Sequence, residues 1–169
     1  ITAFGRTGAW TGSRLWNVKP DLLCAAKAIT NGYFPLGVVM ISGKVASVFE
    51  GNSDQFGTIS HGYTYSAHPV GAAAALACLP LMKKLNLTDN AASRGSELLA
   101  GFQKLQDKHE VVGDVRGKGL MVAMELVSDR KKKTPLGKEI VGKIFERTYE
   151  EGVMARIAGH TIIVSPALV

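Results

Sequence analysis

The stretch Leu23–Gly37, LCAAKAITNGYFPLG, constrains the fold more than any other part of the chain. Two short apolar runs, DLLCAA and GVVMIS, flank one lysine, Lys27, and a segment holding Gly32 and Pro35 that must break regular structure. Apolar runs of this length, bounded by turn residues, read as buried strands. Further on the period changes. The alanine-rich run from Pro69 to Leu85 is helical by propensity, with Pro80 predicting a kink, and AASRGSELLAGFQKLQDKHE continues as an amphipathic helix. Strands alternating with helices make this a mixed α/β chain.

Around the first block, ITAF reads as the end of a strand and GRTGAWTGS as a glycine-bounded loop. Beyond Leu87 the elements shorten. VVGDVRGKGLMVAMEL predicts two strands around a Gly-Lys-Gly turn, LGKEIVGKIFERTYEEG a helix closed by Gly152, and TIIVSPAL a last strand. The expected boundary therefore divides residues 1–86 from a smaller α+β unit at 87–169. Ile1 falls inside an apparent strand and Val169 just after another, so the chain reads as a segment of a longer one.

With 169 residues, 46% of them hydrophobic and 20% charged, the chain has the composition of a globular protein, large enough for one domain or pieces of two. The net charge of +6 raises nucleic acid as a partner, but the one basic block, DRKKK at 129–133, has no interleaved aromatics and reads as a solvated loop. Neither nucleic acid nor a membrane is expected as a partner, since the most apolar run, VGAAAALACLPLM, is too short to span a bilayer. Cys24 and Cys78 belong to no CxxC or Cys/His cluster; they read as two reduced, buried thiols, with no metal site and a cytoplasmic location.

Lys27 is the residue with chemistry to explain. Its bland reading is an aliphatic stem on apolar surface with a snorkelling charge. Its functional reading is a desolvated amine, titrating below the usual value of about 10.4, that attacks a carbonyl to form a Schiff base. Small neighbours, Ala25, Ala26 and Ala28, leave room for a flat aldehyde. Elsewhere Arg6 reads as a structural arginine fixing a glycine loop, His61 and His68 as hydrogen-bonding turn residues, and Arg116 and Lys118 as parts of a tight turn.

PDLLCAAKAITNGYFPLG resembles the lysine motif of the class III pyridoxal-phosphate aminotransferases, the ω-aminotransferases. FGRTG at 4–8, HGYTYSAHPVGAAAALA at 61–77, VRGKGLMVAMEL at 115–126 and ARIAGHTIIVSPALV at 155–169 follow in that family's order. The resemblance implies a fold type I α/β transferase, with residues 1–86 as the C-terminal part of the coenzyme-binding large domain and 87–169 as part of an α+β small domain. It implies that Lys27 carries pyridoxal 5'-phosphate and acts as the catalytic base. Thr64 would bond the coenzyme phosphate of a neighbouring subunit, Tyr63 would line that subunit's pocket, and Arg156 would clamp a substrate carboxylate. The implied activity is ping-pong transfer of an amino group from an amine or ω-amino acid to a keto acid, pyruvate foremost, by a homodimer or higher homo-oligomer with shared active sites. Alternatives are an ornithine, acetylornithine or 4-aminobutyrate aminotransferase, a glutamate-semialdehyde aminomutase, or a non-catalytic module that keeps the fold. Two positions depart from the pattern: Ala28 where glycine commonly follows the lysine, and His160 where an acidic or amide residue is common. The family's aspartate for the pyridine nitrogen is expected upstream of Ile1, and this segment alone is expected to be inactive.

Overall fold

A computed structural model describes residues 1–169, which fall into two units. The first comprises Ile1–Gly5 and Ala9–Asn86, the second Arg6–Gly8 and Leu87–Val169.

In the first unit a single-turn helix α1 (Gly12–Leu15) leads to strand β1 (Leu22–Ala26), which runs straight into a 3-10 turn at Lys27–Ile29. Strand β2 (Gly37–Ile41) returns antiparallel to β1, with Leu22 opposite Ile41 and Ala26 opposite Gly37. Helix α2 (Gly43–Gly51) starts at Ser42, whose Oγ accepts from Val45 N–H and donates to Asp21 Oδ1 at 2.7 Å. That hydroxyl satisfies one orphan amide of the helix start and ties it to the foot of β1. A short helix α3 (Ser53–Phe56) and the long helix α4 (Pro69–Lys84) complete the unit.

Three expectations change here. The two strands exist, but they form a two-stranded ribbon whose outer face, with Leu22, Cys24, Val39 and Ile41, is exposed. Such a ribbon presents two faces, and this unit covers only the one that carries Leu23 and Ala25. Cys24 is consequently exposed and Cys78 half-buried, so the reading of two buried thiols fails, although both cysteines are free. ITAF forms turns instead of a strand: Gly5 has φ +72° and donates to the Trp10 carbonyl, which reverses the chain before a ladder can form.

The second unit opens with helix α5 (Leu87–Lys108), followed by strands β3 (Val112–Gly117), β4 (Val122–Asp129) and β5 (Thr134–Pro135), helix α6 (Lys138–Glu150), and strands β6 (Arg156–Ala158) and β7 (Thr161–Val164). The antiparallel sheet has the order β3-β4-β7-β6, with β5 also paired to β4. Its register decides which residues share a face. Val115, Met124, Ile162 and Ile157 stand in one row across the four strands, on the side packed against buried Val112, Leu126, Leu136 and Val141. Each such side chain, once buried, contributes about 1.5–3 kcal/mol of transfer free energy. The opposite face carries the rows Arg116-Ala123-Ile163-Arg156 and Asp114-Glu125-Thr161-Ala158.

Backbone meets backbone where α5 crosses the β3–β4 turn. A Cβ at Gly95 would overlap the carbonyl of Gly119, which leaves glycine as the residue that fits. Arg6 is sewn into the same corner: its Nη1 donates to the carbonyls of Leu120 (3.0 Å) and Pro166 (2.6 Å), and its own carbonyl accepts from Leu120 N–H. The arginine is structural, as the sequence implied, and burial pushes its pKa down from the ordinary value. Within the basic block, Arg130 Nη2 donates to the carbonyls of Gln106, His109 and Val112, closing the end of α5, while Lys131, Lys132 and Lys133 are exposed. No single helix is long and apolar enough to cross a membrane.

Candidate functional site

Lys27 begins the turn that ends β1, and it does so with φ +61°, a left-handed conformation uncommon for a residue with a Cβ. The turn is fixed from both sides. Ala25, Ile29 and Thr30 are buried, Thr30 N–H donates to the Lys27 carbonyl at 3.2 Å, and Thr30 Oγ1 donates to the Phe34 carbonyl at 2.6 Å. Asn31 (φ +53°) and Gly32 (φ +81°) carry the chain round to Phe34. The Phe34 ring lies 4.9 Å from the His68 imidazole and against Gly71, so the loop after Lys27 rests on the first turn of α4. His68 also caps that helix, its Nδ1 accepting from Val70 N–H at 3.2 Å, with Pro69 at the first helical position.

The amine itself is exposed and has no partner within the chain. This differs from the desolvated lysine that its apolar neighbours implied. The alanines beside it are small, the ribbon is open on one face, and nothing in these 169 residues covers the side chain. A free primary amine held on a strained, well-anchored turn remains available to a carbonyl.

Tyr63 and Thr64 lie in the same unit, in the turn before α4. Tyr63 N–H donates to Ser66 Oγ and Ser66 N–H donates to the Tyr63 carbonyl, both at 2.9 Å, which closes the turn on itself. Its side chains consequently face outward: Tyr63 is 77% and Tyr65 80% exposed, and the Thr64 hydroxyl is free. His61 meets Tyr63 edge-on at 5.3 Å. A cleft of 910 Å³ in this unit is walled by Trp10, Leu23, Met40, Leu76 and Leu79, with Lys19 and Lys83 at its edge. Lys27 is absent from that wall.

Arg156 lies in the second unit, at the start of β6, exposed and without a hydrogen-bond or ion-pair partner. On the same sheet face Arg116 is paired through Nη1, which is bound to Asp114 and, at 2.8 Å, to Glu125 Oε2. The bonds from Asp114 and then Glu125 raise the Arg116 pKa above its ordinary value. Glu125 Oε1 is shared with His160 Nε2 at 3.3 Å, and the bonds from Arg116 and then His160 hold the Glu125 carboxyl below the usual carboxylate range. The tight-turn reading of Arg116 and Lys118 holds for the chain path, since Lys118 N–H donates to the Met121 carbonyl. What the sequence reading missed is the carboxylate partner. Its signal was a glutamate inside an otherwise apolar strand, VAMEL. Phe34 was missed too, hidden among the turn residues of NGYFPLG.

Comparison with known proteins places these features in a family. A family model described as Aminotransferase class-III matches residues 1–169. An uncharacterized aminotransferase, y4uB, of Sinorhizobium fredii is 42% identical over 163 residues, which cover 95% of this chain and 35% of that protein. The mitochondrial gamma-aminobutyrate transaminase 1 of Oryza sativa subsp. indica is 35% identical over 171 residues, covering 100% of this chain and 33% of its own length. Among solved structures, an amine transaminase from an uncultivated Pseudomonas species, in its PLP-bound internal aldimine form, matches with a TM-score of 0.91 and 45% identity over 99% of this chain and 38% of that one. A transaminase from the marine bacterium Virgibacillus matches with a TM-score of 0.90 and 38% identity, over 100% and 39%. The chain thus spans about a third of the length of the curated relatives it matches. It belongs to the class-III aminotransferase family.

Proposed function

We propose that the whole protein is a pyridoxal-phosphate-dependent aminotransferase, moving an amino group from an amine or ω-amino acid to a keto acid, with pyruvate the expected acceptor. The observation that carries this reading is Lys27: a partnerless, exposed amine on an anchored left-handed turn, flanked by Ala26 and Ala28, in a chain of this family. An amine so placed suits an aldehyde, and the small neighbours leave its approach open, so the residues present fit the coenzyme.

Lys27 Nζ would hold the coenzyme covalently. Pyridoxal phosphate, when bound, supplies the electron sink that lets a bond at the substrate α-carbon ionise. Freed by the incoming amine, Lys27 Nζ would move the proton between the substrate α-carbon and the coenzyme C4′, which requires only that its stem swing while the turn stays fixed. The free Thr64 hydroxyl and the exposed Tyr63 ring face away from their own unit, an arrangement that suits donation to the phosphate in a neighbouring subunit and hence a homodimer. Arg156, unpaired on its sheet face, would take the substrate carboxylate with two parallel bonds. In this reading residues 1–86 belong to the coenzyme-bearing large domain and 87–169 to the small domain, and the free cysteines suit a reducing compartment such as the cytoplasm.

A second donor class is favoured by the rice and tomato relatives named gamma-aminobutyrate transaminases, at 35% and 36% identity. It shares Lys27 and Arg156 and differs only in the donor. Borohydride reduction of the whole protein followed by peptide mapping tests the common core. The coenzyme mass is expected on Lys27, and a label on Lys19 or Lys44 overturns the assignment.

A further inference from the structure

Strand β6 is three residues long and lies at the edge of the sheet, so Arg156 sits on an element with little to hold it. β6 joins β7 through a two-residue turn, Gly159-His160, between the paired residues Ala158 and Thr161. Gly159 has φ +64° and His160 does not share that sign, the pattern of a tight turn with glycine at its first central position. Two bonds fasten this turn to β4. The His160 carbonyl accepts from Leu126 N–H at 2.9 Å, and the His160 ring meets Glu125 Oε1 at 3.3 Å. The second bond lies on the face that bears Arg156, because Glu125 is opposite Thr161, Thr161 is opposite Ala158, and Ala158 is two residues from Arg156 on the same side of β6. Glu125 is in turn held by Arg116 from β3, which Asp114 also binds. A chain of side chains therefore runs from β3 across β4 to the turn that aims Arg156.

We propose that His160 and Glu125 are positioning residues for Arg156, fixing the β6–β7 hairpin so that the guanidinium presents itself to a substrate carboxylate at one place and angle. The inference rests on the reading of Arg156 as the carboxylate group's partner. Glu125 does a second thing for that site. By occupying Arg116 together with Asp114, it leaves Arg156 as the uncompensated guanidinium of the row Arg116-Ala123-Ile163-Arg156. A carboxylate reaching this face meets one uncompensated guanidinium, because the charge of Arg116 is already paired.

The test uses the whole, coenzyme-loaded protein and compares His160→Ala, His160→Gln, Arg156→Ala and the double variant. His160→Ala is expected to raise the KM for pyruvate about tenfold and to weaken binding of propionate, measured by calorimetry, by a similar factor, with kcat and the single-turnover rate of a carboxylate-free arylalkyl amine unchanged. His160→Gln keeps a donor for Glu125 and should restore most of the loss. The double variant should lose no more than Arg156→Ala alone, because His160 acts through the arginine. If Arg156→Ala spares the amine and impairs pyruvate while His160→Ala impairs neither or both equally, the positioning role is overturned and the clamp stands. If Arg156→Ala itself impairs amine and pyruvate equally, the clamp reading fails and the positioning role falls with it.

Discussion

Gly71 lies against Phe34 in the loop that follows Lys27, and replacing it by alanine tests whether the placement of that turn matters. A Cβ on Gly71 would stand 2.9 Å from Phe34 Cδ1, 3.2 Å from Phe34 Cε1 and 3.5 Å from Leu36 Cδ1. Carbon atoms pack best at about 3.5–4.0 Å, so the nearer ring atom is about 0.6–1 Å too close. The ring cannot simply flex away, because its backbone is tied through Thr30 Oγ1 and its face rests on His68. Overpacking of this kind costs about 1–3 kcal/mol, and alanine returns up to about 1 kcal/mol in helix propensity, for a net loss of about 0–2 kcal/mol. The larger effect is expected in activity. Shifting Phe34 by this distance moves the loop that continues from Lys27, and a misplacement of about 1 Å near a reacting group costs up to about 100-fold. Gly101→Ala is the control: Gly101 lies in α5 with open space around its added Cβ, so it should gain about 0.5–1 kcal/mol with normal turnover. Urea midpoints and steady-state transamination by the whole protein read both quantities. If Gly71→Ala is as stable and as active as Gly101→Ala, the argument that Phe34 couples α4 to the Lys27 turn is wrong.

Three further outcomes follow from the site. Thr64→Ala should weaken coenzyme binding by about 1.5–3 kcal/mol, or one to two decades in Kd, without unfolding the protein; a fully active monomer would contradict the proposed cross-subunit role. Arg156→Ala should cost on the order of 2–4 kcal/mol in the half-reaction of pyruvate and of amino-acid donors while sparing an arylalkyl amine, with Arg156→Lys rescuing only part because a point charge lacks the fork; single-turnover absorbance of the coenzyme separates the two halves. Glu125 has its folded pKa depressed by Arg116 and then His160, so its contribution to stability is present above the unfolded value of about 4.3 and is lost as pH falls through the lower folded value. Glu125→Gln should therefore be less stable than the parent at pH 7, with the gap between their urea midpoints narrowing below about pH 4.

How far the sequence spoke depended on how local each signal was. Lys27, its flanking strands, the helix that begins at Pro69 and the Gly-Lys-Gly turn are all written in runs of adjacent residues, and the structure has them where those runs lie. Helix α4 continues through Pro80, which cannot donate to the Leu76 carbonyl, so the proline marks a missing bond and not an end. β6 was not legible, because three residues are too few to show a period; only its pairing with β7 makes Arg156–Ala158 a strand. The same holds for Arg6. A glycine loop around an arginine says that something is fixed, but the carbonyls of Leu120 and Pro166 that fix it are more than a hundred residues away. Exposure of Lys27 was misjudged for a related reason: apolar neighbours in sequence imply burial only when both faces of their strands are covered, and β1 and β2 are covered on one.

The two arginines of the small sheet show what separates a paired cation from an unpaired one. Arg116 and Arg156 lie in one register row, on one face, and each is preceded by a residue packed against the core, Val115 and Ala155. In sequence, GDVRG sets Asp114 two residues before Arg116, on the same side of a strand, while ARIAG offers Arg156 no acidic neighbour. The difference is set by neighbours across the sheet: Arg116 stands beside Asp114 on its own strand and reaches Glu125 on β4, so its charge is satisfied twice. Arg156 has Ile163 opposite it and Ala158 two residues on, apolar groups that neither neutralise nor hydrogen-bond a guanidinium. In the proposed function this unpaired arginine takes its partner from a ligand, a carboxylate being the group its planar fork matches. That is why exchanging the environments is more informative than deleting either residue. Ile163→Glu should give Arg156 an internal carboxylate and weaken pyruvate binding with the guanidinium still in place, as seen in the KM of the keto-acid half-reaction. An unchanged KM in a folded Ile163→Glu protein would mean that Arg156 does not meet the substrate.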